Sequence, residues 1–441
     1  MLDPLAEAVL AGASAEELGR TPVPRDYQAI HLRAEDVDMF GDAPDRDVRR
    51  SLHRGRVPMP ELAPDEVLVA VMASAVNYNT VWSARFEPVP TFAFLRQLGR
   101  QGGWAARHDQ PYHVVGSDAS GVVVRTGSAV RRWRVGDHVV VSPVVVDPED
   151  PAVHGDGMMG ADQRAWGFET NFGAMAHYAV AHVTQLLPKP GHLTWEEAAC
   201  NLLCASTSYR MLVGEHGARI KQGDVALVWG ATGGLGTYAV QMVRRAGAIA
   251  VGVVGSERKA QVAAELGCDA VINRQELDLS FTDTASEVEA GKRLGRAIRR
   301  AVGEDPHIVF EHVGRRTFGL SVIVARRGGT IVTCGSSTGY QHTFDNRYLW
   351  MRLKRVIGSH GANFQEMHET NRLVSMGRLA PMLSTVYPFE EAPEAVRLVQ
   401  TNHHVGKVGV LCLAPKPGLG VTDPELRARI GEDAIAPLRT C

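Results

Sequence analysis

Seven consecutive residues, Gly230-Ala231-Thr232-Gly233-Gly234-Leu235-Gly236, carry the plainest chemical signal in the chain. They follow the apolar run Val225-Ala226-Leu227-Val228-Trp229 and precede a helical pattern from Thr237 to Ala246, so the glycines sit where a strand hands over to a helix N-terminus. A pyrophosphate placed there meets unpaired backbone N–H groups and the positive end of the helix dipole. Gly233 admits close backbone approach, and Gly236 lets helix pack on strand. Ala231 replaces the first glycine of the usual G-x-G-x-x-G pattern. About twenty residues further on, where an acidic side chain would receive a ribose 2′-hydroxyl, the chain reads Gly255-Ser256-Glu257-Arg258-Lys259. Ser256 can donate a hydrogen bond, and Arg258 and Lys259 can neutralise a 2′-phosphate, which favours NADPH over NADH. The plainer reading of the same residues is a solvated first helical turn in which Glu257 pairs with either cation.

Metal chemistry has no comparable signal. The six cysteines, at 200, 204, 268, 334, 412 and 441, are too dispersed for a disulfide scaffold or a Cys-x-x-Cys knuckle, and none precedes position 200. Cys200 and Cys204, four residues apart, read as small core residues rather than ligands, so no bound metal is expected.

The elements that must position this chemistry change character along the chain. Leu2, Leu5, Val9 and Leu10 at helical spacing, with Gly19, Pro22 and Pro24 beyond, predict one short amphipathic helix as an N-terminal extension. From about 60 to 145, short Val-rich runs (Val67 to Val71, Val122 to Val124, Val139 to Val141) alternate with Gly and Pro, which predicts a β-rich, barrel-like domain. Arg85 to Asp109 breaks that rhythm with a helical insertion, and Trp195 to Val213 is helical again. Strands at 249–254, 307–310 and 330–333 then alternate with helices, the pattern of a doubly wound parallel sheet. Val408 to Leu411 is strand-like and returns to the first domain. The expected division is a catalytic and substrate domain from 1–209 and 358–441, around a nucleotide-binding domain at 210–357.

Composition excludes other classes. The formal net charge is −2 and the pI 6.8, so no basic face gathers nucleic acid or anionic lipid. No apolar run approaches the roughly 20 residues of a membrane span. The start, Met1-Leu2-Asp3-Pro4, has neither the basic region nor the apolar run of a signal peptide, and a cytoplasmic location is expected.

Gly116-Ser117-Asp118-Ala119-Ser120-Gly121, Gly127 and Gly136-Asp137-His138-Val139 resemble the medium-chain dehydrogenase/reductase superfamily. The resemblance implies a GroES-like β-rich domain followed by a Rossmann domain. Where zinc-dependent members carry Gly-His-Glu, this chain has Gly116-Ser117-Asp118, the pattern of a zinc-free reductase. Without a Lewis acid, hydride must go to a carbon already activated, such as an enone or an enoyl thioester. Three further segments narrow the resemblance: Asn77-Tyr78-Asn79-Thr80, Arg164-Ala165-Trp166-Gly167-Phe168-Glu169-Thr170-Asn171, and Asn346-Arg347-Tyr348-Leu349-Trp350 with Gly358-Ser359-His360. With the N-terminal extension and the nucleotide loop they resemble, over nearly the whole chain, the crotonyl-CoA carboxylase/reductase family. That family reduces an α,β-unsaturated acyl-CoA with NADPH while fixing carbon dioxide at the α-carbon.

The resemblance implies four catalytic residues. Asn79 donates to a carbon dioxide oxygen and the developing carboxylate. Phe168 walls an apolar gas pocket that excludes water. Glu169 and His360 position an ordered water against the gas. Arg347 and Tyr348 match a segment that links subunits and acyl-CoA sites, and the family habit is a tetramer built from dimers. Each also has an ordinary reading: turn, core, surface charge, strand-end histidine and helix start. Two positions depart from members acting on short chains, which carry a large residue after the histidine and a branched one before the tryptophan. Gly361 and Ala165 stand there instead, leaving room for several methylenes at about 0.8 kcal/mol each when buried, which implies a medium-chain or branched substrate. Lys354, Arg352 and Arg355 are candidates for the CoA 3′-phosphate by proximity alone. A non-carboxylating enoyl-thioester or quinone reductase, and a nucleotide-binding regulatory protein, stay open as alternatives.

Overall fold

A computed structural model describes residues 2–439; Cys441, the last of the six cysteines, lies outside them. The chain forms two compact units, one running to Leu203 and resuming at Asn363, the other Cys204–Ala362. The helix Leu202–Leu212 carries the chain across the first join. At the other join, the Ser359 N–H donates to the Thr333 carbonyl and continues the sheet beyond Gly358.

The first unit is built on Glu66–Ala75, a strand buried from its second residue onward. Its alternate residues enter different cores: Val67, Val69 and Val71 on one face, Leu68, Ala70 and Met72 on the other. It is the centre of a seven-stranded sheet in which Ala119–Thr126, Tyr178–His182 and Lys407–Leu411 all pair with it antiparallel. The last of these brings the C-terminal part of the chain home, setting Gly409 opposite Ala75. Gly121 is required here, because a Cβ would stand 2.2 Å from the Ala70 carbonyl oxygen.

Two expected single helices are each split. The N-terminal extension is Pro4–Leu10 and Ala15–Arg20, because Ser14 and Glu17 exchange capping hydrogen bonds that start a second helix. Asp3 caps the first, and the Tyr178 hydroxyl donates to its carboxylate at 2.7 Å, docking the extension on the sheet. The 195–213 segment is Trp195–Ala199 and Leu202–Leu212, interrupted where the Asn201 amide donates to the Glu197 and Ala198 carbonyls. The insertion consists of helices Tyr78–Arg85 and Thr91–Gly99 and a helical turn, Gly103–His108.

The second unit is a six-stranded, wholly parallel sheet. In spatial order its strands are Ala270–Asn273, Ile249–Val254, Val225–Trp229, Ile308–Glu311, Thr330–Thr333 and Arg355–Gly358. The first strand in sequence lies inside and the chain winds outward from it in both directions. The order reverses between Val225–Trp229 and Ile308–Glu311, and a ligand crevice opens at the carboxyl ends of such a pair. Among the described residues no helix is long and apolar enough to cross a membrane.

Candidate active site

In the second unit, Val225–Trp229 ends at Gly230, whose φ of +56° turns the chain sharply. The helix Gly234–Arg245 begins at Gly233 with no side-chain cap, so its first N–H groups face outward unmasked. Gly236 leaves no room for a side chain without a backbone shift: a Cβ would lie 2.2 Å from the Gly230 carbonyl oxygen. Ala231 is fully buried, and Gly252 on the neighbouring strand makes room for it, since a Cβ there would meet the Ala231 methyl at 3.0 Å. Thr232 is buried, and the Leu235 carbonyl accepts from the Ser208 hydroxyl, fixing the turn from behind.

Ser256 caps the helix Glu257–Glu265, accepting from the Lys259 N–H at 3.3 Å, which leaves its hydroxyl proton to donate outward. Beside it converge three cations. Burial, then the Arg274 and Arg258 guanidinium groups, hold the Lys259 ammonium below its ordinary pKa. Arg274 lies across Gly255, its Nε 3.0 Å from where a Cβ would be. Like charges gathered this way attract an anion. Sequence reasoning missed Arg274, although the parallel register sets Asn273 opposite Val254, so the next residue is delivered to the same edge. It also missed His312, at the carboxyl end of Ile308–Glu311, whose Nε2 donates to the Trp229 carbonyl at 2.8 Å and whose ring lies against Gly230. Burial lowers its pKa, keeping the imidazole neutral in the crevice. The turn, the uncapped helix and the cations together suit a dinucleotide carrying a 2′-phosphate.

The first unit holds a different cluster. Asn79 lies in the helix Tyr78–Arg85, and its Nδ2 donates to Ser117 Oγ at 2.8 Å. Ser117 in turn donates to the Trp166 carbonyl at 2.6 Å. Phe168 and Glu169 follow on that loop, so Asn79, Phe168 and Glu169 belong to one connected group. The loop is tight: Gly167 has a φ of +66°, and a Cβ would stand 2.1 Å from the Gly116 carbonyl oxygen. One Glu169 carboxylate oxygen accepts from the Ala165 N–H at 2.7 Å, fixing Ala165 in the same turn. Phe168 packs on Phe94 of the helical insertion, with ring centroids 5.9 Å apart. Behind the cluster, a buried ion pair joins Lys407 and Asp118 at 3.0 Å, and Asn77 donates to the same Asp118 oxygen at 2.8 Å.

The remaining candidates lie in the second unit, just before and after its edge strand Arg355–Gly358. His360 follows the strand and is exposed. Gly361 has a φ of +51°, so a backbone requirement accompanies any need for room there. Arg347 begins a one-turn helix and is held bidentate by Asp345, while Tyr348 packs partly into the core of the sheet. Lys354 is not available to a phosphate: it is buried and donates to the Val322 and Ile323 carbonyls at the end of a helix. Burial pushes its pKa down to about 8. Arg355 donates to the Thr330 hydroxyl.

The chain matches an alcohol dehydrogenase GroES-like domain over residues 63–191 and a zinc-binding dehydrogenase domain over residues 234–376. It is 50% identical over 422 residues to the crotonyl-CoA reductase of Streptomyces collinus, covering 95% of this chain and 94% of that one. It is 38% identical over 418 residues to the crotonyl-CoA carboxylase/reductase of Cereibacter sphaeroides, covering 91% and 92%. The solved structure of the 2-octenoyl-CoA carboxylase reductase CinF, in complex with NADP and 2-octenoyl-CoA, superposes with a TM-score of 0.96 at 64% identity, covering 99% of this chain and 98% of that one. The zinc in the second domain's description does not fit this chain. Among the described residues no three His, Cys, Asp or Glu side chains group to hold a metal, and the Asp118 carboxylate is taken by Lys407. Sequence and fold together place the chain in the crotonyl-CoA carboxylase/reductase family of the medium-chain dehydrogenase/reductase superfamily.

Proposed function

We propose that this chain converts a 2-enoyl-CoA, medium-chain or branched, into an alkylmalonyl-CoA by NADPH-dependent reductive carboxylation. The observation that carries this reading is the joining of Asn79 to the Phe168–Glu169 loop within one unit. The octenoyl-CoA and NADP bound by CinF support the substrate class and the cofactor. NADPH, when bound, supplies hydride to the substrate β-carbon. The electron pair of the carbon–carbon double bond then becomes a thioester enolate. Its α-carbon bonds to the carbon of carbon dioxide while a C–O π pair moves onto oxygen as carboxylate, or it takes a proton from water. Which outcome wins is decided by this chain's own residues.

Gly233, Gly234, Leu235 and Gly236 receive the pyrophosphate at the helix N-terminus, with Ala231 and Thr232 shaping the turn. Ser256, Arg258, Lys259 and Arg274 meet the 2′-phosphate. The Asn79 amide, with one N–H held by Ser117, offers its second to an oxygen of carbon dioxide and the growing carboxylate. Phe168, backed by Phe94, excludes the water that would protonate the enolate. Glu169 and His360 hold an ordered water against the gas. Ala165 and Gly361 leave room for the longer acyl chain, and Arg347 and Tyr348 serve the acyl-CoA and subunit contacts.

A homotetramer, a dimer of dimers, is the proposed assembly. It is supported by the unpaired edge of Arg355–Gly358 and by exposed Trp350, Leu353 and Val356 beside it, since such an edge invites pairing. The cytoplasm is the proposed location, supported by five cysteines among the described residues that stand outside any disulfide. Mass spectrometry of products from C4 to C8 enoyl-CoA, with and without bicarbonate and carbonic anhydrase, tests the reaction. Alkylmalonyl-CoA is the expected product; saturated acyl-CoA alone at saturating carbon dioxide refutes the reading.

A further inference from the structure

We propose that Ser117 is a positioning residue of the carboxylation step, deciding which end of the Asn79 amide faces the reacting gas and so how often the enolate is carboxylated rather than protonated. The inference rests on the role of Asn79 proposed above and extends it to a residue without one.

Ser117 is fully buried, and its single hydroxyl proton is already committed to the Trp166 carbonyl, 2.6 Å away. A hydroxyl that donates elsewhere can offer Asn79 only a lone pair. The amide must therefore turn its N–H side to Ser117, as it does at 2.8 Å, because the opposite orientation would set two acceptors against each other. The amide is oriented by the direction of this relay, Asn79 to Ser117 to Trp166, rather than by anything intrinsic to asparagine. Its far end has a consequence: Asn79 Oδ1 is buried with no hydrogen-bond partner among the described residues. Among the described residues, no hydrogen bond other than that with Ser117 resists a reversal of the amide.

The relay also fixes distance. The Trp166 carbonyl is two residues from Phe168 and three from Glu169, and the Gly116 and Gly167 backbones already press together beside it. One hydroxyl thus holds the donor, the apolar wall and the carboxylate in register. Removing it frees the amide to present Oδ1 to an oxygen of carbon dioxide, an acceptor against an acceptor. The loss of one oriented hydrogen bond is worth about three- to tenfold.

The test uses the full-length enzyme with NADPH and 2-octenoyl-CoA, reading the ratio of carboxylated to reduced product across carbon dioxide concentration. Ser117→Ala is expected to raise the half-saturating carbon dioxide about three- to tenfold and to lower the product ratio by more than it lowers total NADPH oxidation. Ser117→Cys, nearly isosteric and a weak donor and acceptor, shifts the ratio in the same direction and carries the test if the alanine variant fails to fold. Because Ser117 acts through Asn79, Ser117→Ala/Asn79→Ala should give the same ratio as Asn79→Ala alone. Folded Ser117 variants with the wild-type ratio, while Asn79→Ala shifts it, overturn the inference, as do fully additive effects in the double variant. An Asn79→Ala variant with the wild-type ratio overturns the proposed role of Asn79 itself, and that of Ser117 with it.

Discussion

Lys407→Met is the substitution whose outcome the structure specifies most closely. The Lys407 side chain is 2% exposed and that of Asp118 1%, with 3.0 Å between their charges. Lys407 also donates to the Val76 carbonyl at 2.9 Å and to the Asn77 side-chain oxygen. Asp118 accepts as well from Asn77 Nδ2 and from the Leu203 N–H at 3.1 Å. Methionine keeps the apolar stem but leaves a buried carboxylate without its countercharge and removes a donor from two acceptors. Breaking one side of such a pair costs about 3–5 kcal/mol, a large share of a typical domain's stability. Adding Asp118→Asn removes the stranded charge, keeps an acceptor for Leu203, and should recover at least half of the loss. With two units in the chain, a global melting curve mixes contributions. Hydrogen exchange of the strand amides in Lys407–Leu411 and Glu66–Ala75 reports the local stability instead. A loss below about 1 kcal/mol in Lys407→Met, with no recovery in the double variant, would show that the pair contributes little and refute the reasoning.

Four further outcomes are expected. Arg274→Ala should raise the KM for NADPH about ten- to hundredfold, as loss of a charge-assisted bond implies, and change the KM for NADH less than twofold; steady-state kinetics with both cofactors checks this. Gly236→Ala forces a methyl against the Gly230 carbonyl and should weaken NADPH binding more than tenfold, read by cofactor fluorescence titration. Burial holds His108, His113 and His177 at about 3, 4 and 4, so the folded state stays neutral while the unfolded chain protonates near 6.5. The unfolded state therefore binds more protons between pH 6.5 and 4, and stability falls on acidification there by up to about 1.4 kcal/mol per pH unit for each group; His113→Gln should lessen that slope by about one proton in urea titrations. Gly361→Phe should shift catalytic efficiency from C8 toward C4 enoyl-CoA, with Gly361→Ala reporting the backbone strain at φ +51° without the ring; wild-type enzyme that prefers C4, unaffected by the phenylalanine, ends the chain-length argument.

Local order explains what could be read in the residue string. The nucleotide turn was legible because strand, glycines and helix are contiguous, and the order of strands and helices followed from hydrophobic period alone. The same local reasoning merged Pro4–Leu10 with Ala15–Arg20, since apolar spacing says nothing about a capping box that restarts a helix. Lys354 looked like a phosphate ligand because its charge was visible and its burial was not.

Residue type and periodicity, then, determined the chain's fold class, its dinucleotide turn and, through resemblance, the identities of Asn79, Phe168, Glu169 and His360 as candidates. Only tertiary structure decided that Arg274 joins Arg258 and Lys259, that Asp118 is bound to Lys407 from the far end of the chain, and that Ser117 sets the Asn79 amide. The physical reason is the same in each case. Periodicity records which face of an element is apolar, whereas a hydrogen bond's direction and a charge's burial depend on neighbours that only strand register and loop packing bring within about 3 Å.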